Sequence, residues 1–236
     1  MGKILKIIPT EKNSSSFINI EPAIDFIPEW YRKSSSSINN SKFELTREGG
    51  SQNHSTFKKC SPFLDAMTSG YIAFLTADIE VIKNPDDSQF IAFRTGRKIV
   101  TEHSPLQWNG VPVPNGYTSF VFKWHNQFGL STPKEYSLFF TNPINRFDLP
   151  FYTISGIVDT DKYDAAVHFP FFLKKDFFGI IEKGTPIAQI IPIKRDVWSR
   201  EIEKEDEDKA QLKLDHYFST IKRSYKNNFW IKKEYK

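Results

Sequence analysis

Two aspartates, Asp159 and Asp161, stand in the run GIVDTDKY, where the apolar pair Ile157 and Val158 delivers them onto a turn. A carboxylate held there can act as a general base and take a proton from an attacking water. The same residues also cap turns, because Asp and Thr side chains bond to nearby backbone amides. In NRFD, Arg146 and Asp148 fall on one side of an extended segment. The default for them is a local ion pair; an Arg146 turned toward Asp159 would instead bind an anionic ligand. Trp108 lies near the centre of the Pro- and Gly-rich stretch 102–117, and His125 follows Trp124 in FVFKWHNQF. They offer a stacking surface and a base, against the plainer expectations of aromatic core and a hydrogen-bonded structural histidine.

Composition narrows what can surround these residues. With 236 residues, 39% of them apolar and 15% aromatic, the chain can bury a real core in one large domain or two small ones. No stretch approaches the roughly 18 apolar residues of a membrane span, and the N-terminal patch ILKII is short for a signal peptide. The expectation is therefore no membrane and a cytoplasmic location. The single cysteine, Cys60, excludes an internal disulfide framework and is expected to be buried as a small hydrophobe. Five scattered histidines show no local metal-ligand spacing, so no metal site is assigned. A formal charge of +4 is too mild to imply nucleic acid. The acidic EIEKEDED followed by the basic, aromatic KRSYKNNFWIKKEYK matches a solvated helix aligned with its dipole, with a partner-binding tail as the alternative.

The elements that must position the candidates are mostly strands. Eight β-type runs follow Tyr71: YIAFLTADIEVI, QFIAFR, TSFVFKWH, EYSLFFT, FYTISGIVD, AAVHFPFFL, GIIEKG and PIAQIIPI. Pro, Gly, Asn and Asp punctuate them, which describes a mainly antiparallel sandwich or roll. The prolines inside HFPFF and IIPIK mark edges or bulges. Before the runs, KILKIIP reads as a strand, EPAIDFIPEWYRK as a short helix or anchor, and CSPFLDAMTSG as a helix with a Ser61 cap, Pro62 at its first position and Gly70 past its end. From Trp198 to about Asn228 the pattern predicts one long helix. The chain thus divides into an N-terminal extension over 1–59, a β domain over 60–197, and a C-terminal helix and tail over 198–236.

From Gly156 to Arg195 the sequence resembles the third conserved region of trimeric dUTP pyrophosphatases (dUTPases) and the related dCTP deaminases. GIVDTDKY is followed at similar spacing by EKGTPIAQIIP, and upstream TSGYIAFLTADIEV echoes the run that opens the same fold. The resemblance implies a mainly β, dUTPase-like antiparallel roll or sandwich of the β-clip type, with short N-terminal helices and a C-terminal helix. It also implies roles: Asp159 orienting the attacking water, Tyr163 against the deoxyribose, Gln189 near the phosphates, and magnesium carried by the triphosphate. The homotrimer is that family's habit.

The sequence departs from the pattern at Lys162, inserted before Tyr163, and at Asp164, where the family has glycine. No phosphate-binding helix start precedes Gly156, and Arg146 is its one substitute. A second resemblance, to a family of phage and bacterial proteins of unknown function, runs through EHSPLQWNG, TNPINRFD, GIVDTD, HFPFF and EKGTPIAQIIPIKR. It implies a phage or bacterial source, and for a phage product the host cytoplasm or the virion. The resulting expectation is a non-catalytic binding or structural module. Asp159 is its candidate catalytic residue, and Asp161, Tyr163, Gln189, Arg146, Trp108 and His125 are its candidate ligand residues, for a nucleotide or other anion. The alternatives are a magnesium-dependent deoxynucleoside triphosphate pyrophosphatase or deaminase using Asp159, and a virion or assembly component; magnesium enters as cofactor only in the first of these.

Overall fold

A computed structural model describes residues 2–10, 18–39, 53–86, 88–202, 209, 211–213 and 225–236. Its strands are β1 Lys6–Pro9, β2 Ile20–Pro22, β3 Ser37–Asn39, β4 Asn53–Ser55, β5 Tyr71–Phe74, β6 Ile79–Lys83, β7 Gln89–Phe93 and β8 Val100–Glu102. They continue as β9 Tyr117–Trp124, β10 Phe128–Ser131, β11 Tyr136–Thr141, β12 Phe151–Thr153, β13 Gly156–Val158, β14 Phe169–Lys174, β15 Gly179–Ile181 and β16 Pro186–Lys194. Two short helices, α1 Glu29–Lys33 and α2 Ser61–Thr68, precede most of the strands. The protein is mainly β, and each of the eight predicted runs contains at least one strand. Two of the runs break in two: Leu75 to Asp78 separates β5 from β6, and Ile154 and Ser155 separate β12 from β13.

All the registered pairings are antiparallel. A five-stranded sheet runs β13-β11-β16-β5-β2, a four-stranded sheet β12-β14-β9-β8 and a three-stranded sheet β15-β6-β7, beside the pairs β1-β10 and β3-β4. Pro170 and Pro192 both lie where only one neighbouring strand is in register. Pro192 faces Leu138 but lies beyond the last β5 pairing, Ile190 with Tyr71. Pro170 faces Lys123, one residue before the β12 pairing begins at Phe171. The missing proline N–H therefore removes no ladder bond, and a register shift between Phe172 and Lys174 bends the same strand.

One continuous core joins the two larger sheets. Trp124 is wholly buried, stacks on Phe171 at 3.7 Å between ring centroids and meets Phe151 edge-on at 5.1 Å. Its Nε1 donates to Thr153 Oγ1 at 3.2 Å, and that hydroxyl donates to the Ile187 carbonyl at 2.6 Å. The polar end of the indole is satisfied while its rings bury apolar area, the condition for a tryptophan deep in a core. Close approach also demands glycine: a Cβ on Gly129 would lie 1.8 Å from the Asp164 carbonyl oxygen.

The helix over 61–68 forms as predicted, with Ser61 inside it and Cys60 at the capping position without a side-chain bond. Gly70 follows with φ 72°, and a Cβ there would meet the Ile190 carbonyl at 2.1 Å. Cys60 is exposed, which corrects the expectation of burial: as the residue before the first turn it faces outward. The long C-terminal helix falls largely on residues outside the described set. Within that set, 198–202 are not helical, 209 and 211–213 are helical, and Tyr225–Phe229 form a π-type turn. No helix among the described residues is long and apolar enough to cross a membrane.

Candidate functional site

The Asp159 turn leaves β13 at the edge of the five-stranded sheet, where β11 aligns Leu138 with Val158. The Asp159 carbonyl closes the turn by accepting from the Lys162 and Tyr163 amides at 3.0 and 2.9 Å. Beneath it Thr160 is buried, and its hydroxyl meets that of Thr132 at 2.9 Å. The main chain is thereby fixed before either carboxylate is considered.

Both carboxylates converge on Arg195, just past the end of β16. Its Nη2 donates to Asp161 Oδ2 at 2.5 Å, and its Nη1 lies 3.3 Å from Asp159 Oδ1. The same Nη1 donates to Ser137 Oγ at 2.9 Å and to the Tyr136 carbonyl at 3.0 Å. Ser137, fully buried, passes the link on by donating its hydroxyl proton to Asp159 Oδ1 at 2.7 Å. Glu135 takes the left-handed backbone conformation, φ 73°, and its N–H donates to Asp161 Oδ2 at 3.0 Å while its carbonyl accepts from the Arg195 amide at 2.9 Å. A non-glycine residue in that region is uncommon, and here it serves both partners of the ion pair.

Electrostatics follow from this geometry. The hydrogen bond from Arg195 holds the Asp161 carboxyl down at about 2, with the Glu135 amide adding to the effect. Asp161 Oδ1 is buried without a hydrogen-bond partner among the described residues. The Asp159 side chain is 57% exposed, so of the two it is the one that solvent reaches. As a metal site the pair does not fit, because a guanidinium already neutralises the oxygens a divalent cation would need. Among the described residues no group of three His, Cys, Asp or Glu side chains could hold a metal ion.

Apart from Tyr163, the other candidates are engaged away from this turn. Gln189 is fully buried, accepts from the Ile144 amide at 2.8 Å, and donates to the Ala66 and Ser69 carbonyls at 2.9 and 2.7 Å. Its amide clamps the end of α2 to the segment after β11. It faces Thr141, four residues along β11 from Ser137 and so roughly 13 Å from the turn at about 3.3 Å per residue. Arg146 does not face Asp159. It grips Asp148 through Nε at 2.9 Å and Nη2 at 2.8 Å, and Asp148 also accepts from Trp30 Nε1 at 3.3 Å. Burial, the largest single influence, would raise the Asp148 carboxyl, but the hydrogen bonds and charge of Arg146, with the backbone and Trp30 hydrogen bonds, together lower it.

Trp108 stacks between His103 at 5.6 Å and Phe172 at 6.0 Å. His125 Nε2 bonds Thr101 Oγ1 at 2.7 Å, and its ring centre lies 4.4 Å from that of His168. Burial first, then His168 and the lysines Lys123 and Lys98, push His125 down to about 4, so it is neutral at pH 7. Tyr163 is half exposed next to the turn. Thr132, which bonds Thr160, also lines a cavity of about 480 Å³ with Tyr136, Pro192, Lys3, Tyr71 and Tyr235, where Lys3 Nζ sits 5.1 Å from the Tyr136 ring centre.

Arg195, Ser137 and Glu135 were not singled out from the sequence. The only signal for Arg195 was its place at the end of the run EKGTPIAQIIPIKR, where it reads as a polar strand terminus.

No protein-family model matches the chain, and no curated protein matches it. The resemblance to a phage and bacterial family therefore stands on the sequence runs alone. Among solved structures the chain is similar to a mutant dUTPase of Staphylococcus bacteriophage 80alpha solved with dUpNHpp. That match has 12% identity and a TM-score of 0.27, covering 54% of this chain and 88% of the other. Two structures of the dUTPase from phage phi11 of S. aureus match at 10% identity and a TM-score of 0.25, covering 54% of this chain and 96% of theirs. Scores of this size leave the topology and the site to be argued from the chain's own residues.

Proposed function

We propose that the chain is a non-catalytic binding or structural module built on a dUTPase-like β framework, from a phage or bacterial source. The observation that supports this reading most is the Arg195 fork. It joins Asp159 and Asp161 in one ion-paired turn, so the carboxylate that would activate water is already tied to Ser137 and to a cation. Gln189 and Arg146, which the resemblance would place near a triphosphate, are spent on internal bonds.

The test is a panel of deoxynucleoside triphosphates with magnesium, read for pyrophosphate release, deamination and melting temperature. The expected result is no turnover. A nucleotide or inorganic phosphate that binds the native state would raise stability by about 2.7 kcal/mol at a hundredfold excess over its Kd. Turnover that disappears in Asp159→Asn would overturn the proposal in favour of a hydrolase or deaminase. The exposure of Asp159 is the one observation on that side. No shift with any nucleotide or phosphate would leave the structural, assembly-forming arm of the reading, for which light scattering should give a homotrimer.

A further inference from the structure

Two adjoining cavities of about 600 and 470 Å³ share Ser88, Gln89 and Phe120, forming one trough between the edge strand β7 and the strands β8 and β9. None of its lining residues belongs to the Asp159 turn. We propose that this trough is a binding site for a neutral oligosaccharide. Three phenylalanines flank it with their rings partly in water: Phe90 is 54% exposed, Phe120 41% and Phe178 39%. Rings left exposed around a concavity mark a binding surface rather than a folding need. The floor of the larger cavity is polar, and Ile91, Val100 and Phe122 line the smaller one. Ser88 and Thr118 contribute hydroxyls, and the charges nearly cancel without a positive excess, Lys83 and Lys175 against Asp86, Asp176 and Glu102.

The ligand class follows from that combination. A pyranose ring has C–H faces that pack on aromatic rings, and an edge of hydroxyls that both donate and accept. It needs flat apolar surfaces and polar groups of both kinds, with no net charge. A phosphate or nucleotide would call for an excess of positive charge, and a lipid for an apolar floor throughout, which the charged larger cavity does not offer. Gln89 supplies a separate sign of an unfilled polar role. It is more than nine-tenths buried, and its Nε2 is fixed by the Lys174 and Phe177 carbonyls at 2.9 and 2.8 Å, yet its Oε1 has no hydrogen-bond partner among the described residues. A buried acceptor left unpaired is expensive, and a site that receives a hydroxyl donor accounts for it. The two volumes, each within the range of small-ligand pockets, together leave room for more than one sugar ring.

The experiment uses the full chain with maltotriose, cellotriose, N-acetylchitotriose and a galactotriose, read by saturation-transfer NMR and calorimetry. ADP and inorganic phosphate run alongside. The expected result is binding of at least one trisaccharide, weakened about tenfold or more in Phe120→Ala, the loss of one aromatic stacking contact. Asp176→Asn, a change at an exposed edge, should weaken the same ligand without moving the melting temperature. Binding of no member of the panel, binding unaltered by both variants, or binding of ADP or phosphate that Phe120→Ala abolishes would overturn the assignment. An extended peptide paired to the open edge of β7 would appear as ligand-induced protection of β7 amides from exchange, and would overturn it equally.

Discussion

Replacing Gln189 with methionine tests whether this residue is a clamp or a ligand group. Methionine matches the length of glutamine and keeps the site filled, but it neither donates nor accepts in any useful strength. Three backbone groups would lose their partner: the Ile144 N–H and the Ala66 and Ser69 carbonyls. A buried polar group left unpaired costs about 1–3 kcal/mol, so three would cost about 3–9 kcal/mol. All three residues are only half-buried, and water can recover part of that, which places the expected loss near the lower end, about 3 kcal/mol. For a chain of this length that lowers Tm by roughly 6–12 °C. Urea unfolding of Gln189→Met should show the loss as a lower midpoint with an unchanged slope. A loss below about 1 kcal/mol would refute the clamp, since it would mean that the three groups were never dependent on this amide.

Arg195→Met should leave Asp161 without its cation. Because the folded-state carboxyl sits at about 2 against an ordinary 3.8, its contribution is present above about pH 4 and is lost as pH falls through about 2. The wild-type urea midpoint should therefore fall over that window and the variant's should fall less; equal slopes would exclude the ion pair as the cause. His125, held at about 4 by burial, favours the neutral form in the folded state, so stability is full above about 6.5 and is lost as pH falls toward 4. An NMR titration of its ring with a midpoint near 6.5 would contradict the buried contact with His168. Gly129→Ala would drive a Cβ into the Asp164 carbonyl and should destabilise by about 3 kcal/mol or prevent folding; a variant that melts like wild type would show that the two segments do not approach this closely.

Much of the β framework was legible because its signals are local. Alternating aromatic and β-branched residues marked the runs, and Pro, Gly, Asn and Asp marked their ends. The helix over 61–68 was legible for the same reason, since Pro62 and Gly70 bracket it within ten residues. Arg195 was not, because its meaning depends on Asp161, which lies in the chain well before it and meets it only once β16 is paired with β11. The pairing of Arg146 with Asp148 was visible as the local default, while the alternative, contact with Asp159, needed a tertiary approach that the fold does not make. Gln189 shows the opposite limit. A glutamine in a strand reads as polar and available, and only the arrival of α2 and the 142–146 segment turns it into a buried amide with every polar atom engaged.

The order of strands in the five-stranded sheet has a consequence for how the chain is made. The strand that joins β11 to β5 is β16, the last to be synthesised, and β5 ends about 120 residues earlier at Phe74. At a synthesis rate of roughly 5–20 residues per second, β5 waits roughly 6–24 s for its central partner. During that time Ile72, Ala73 and Phe74, all buried in the finished sheet, lack the strand that covers their open edge. Such a chain has its greatest exposure to misassembly before release from the ribosome, and truncation anywhere before Lys194 should yield an aggregation-prone product rather than a smaller folded one.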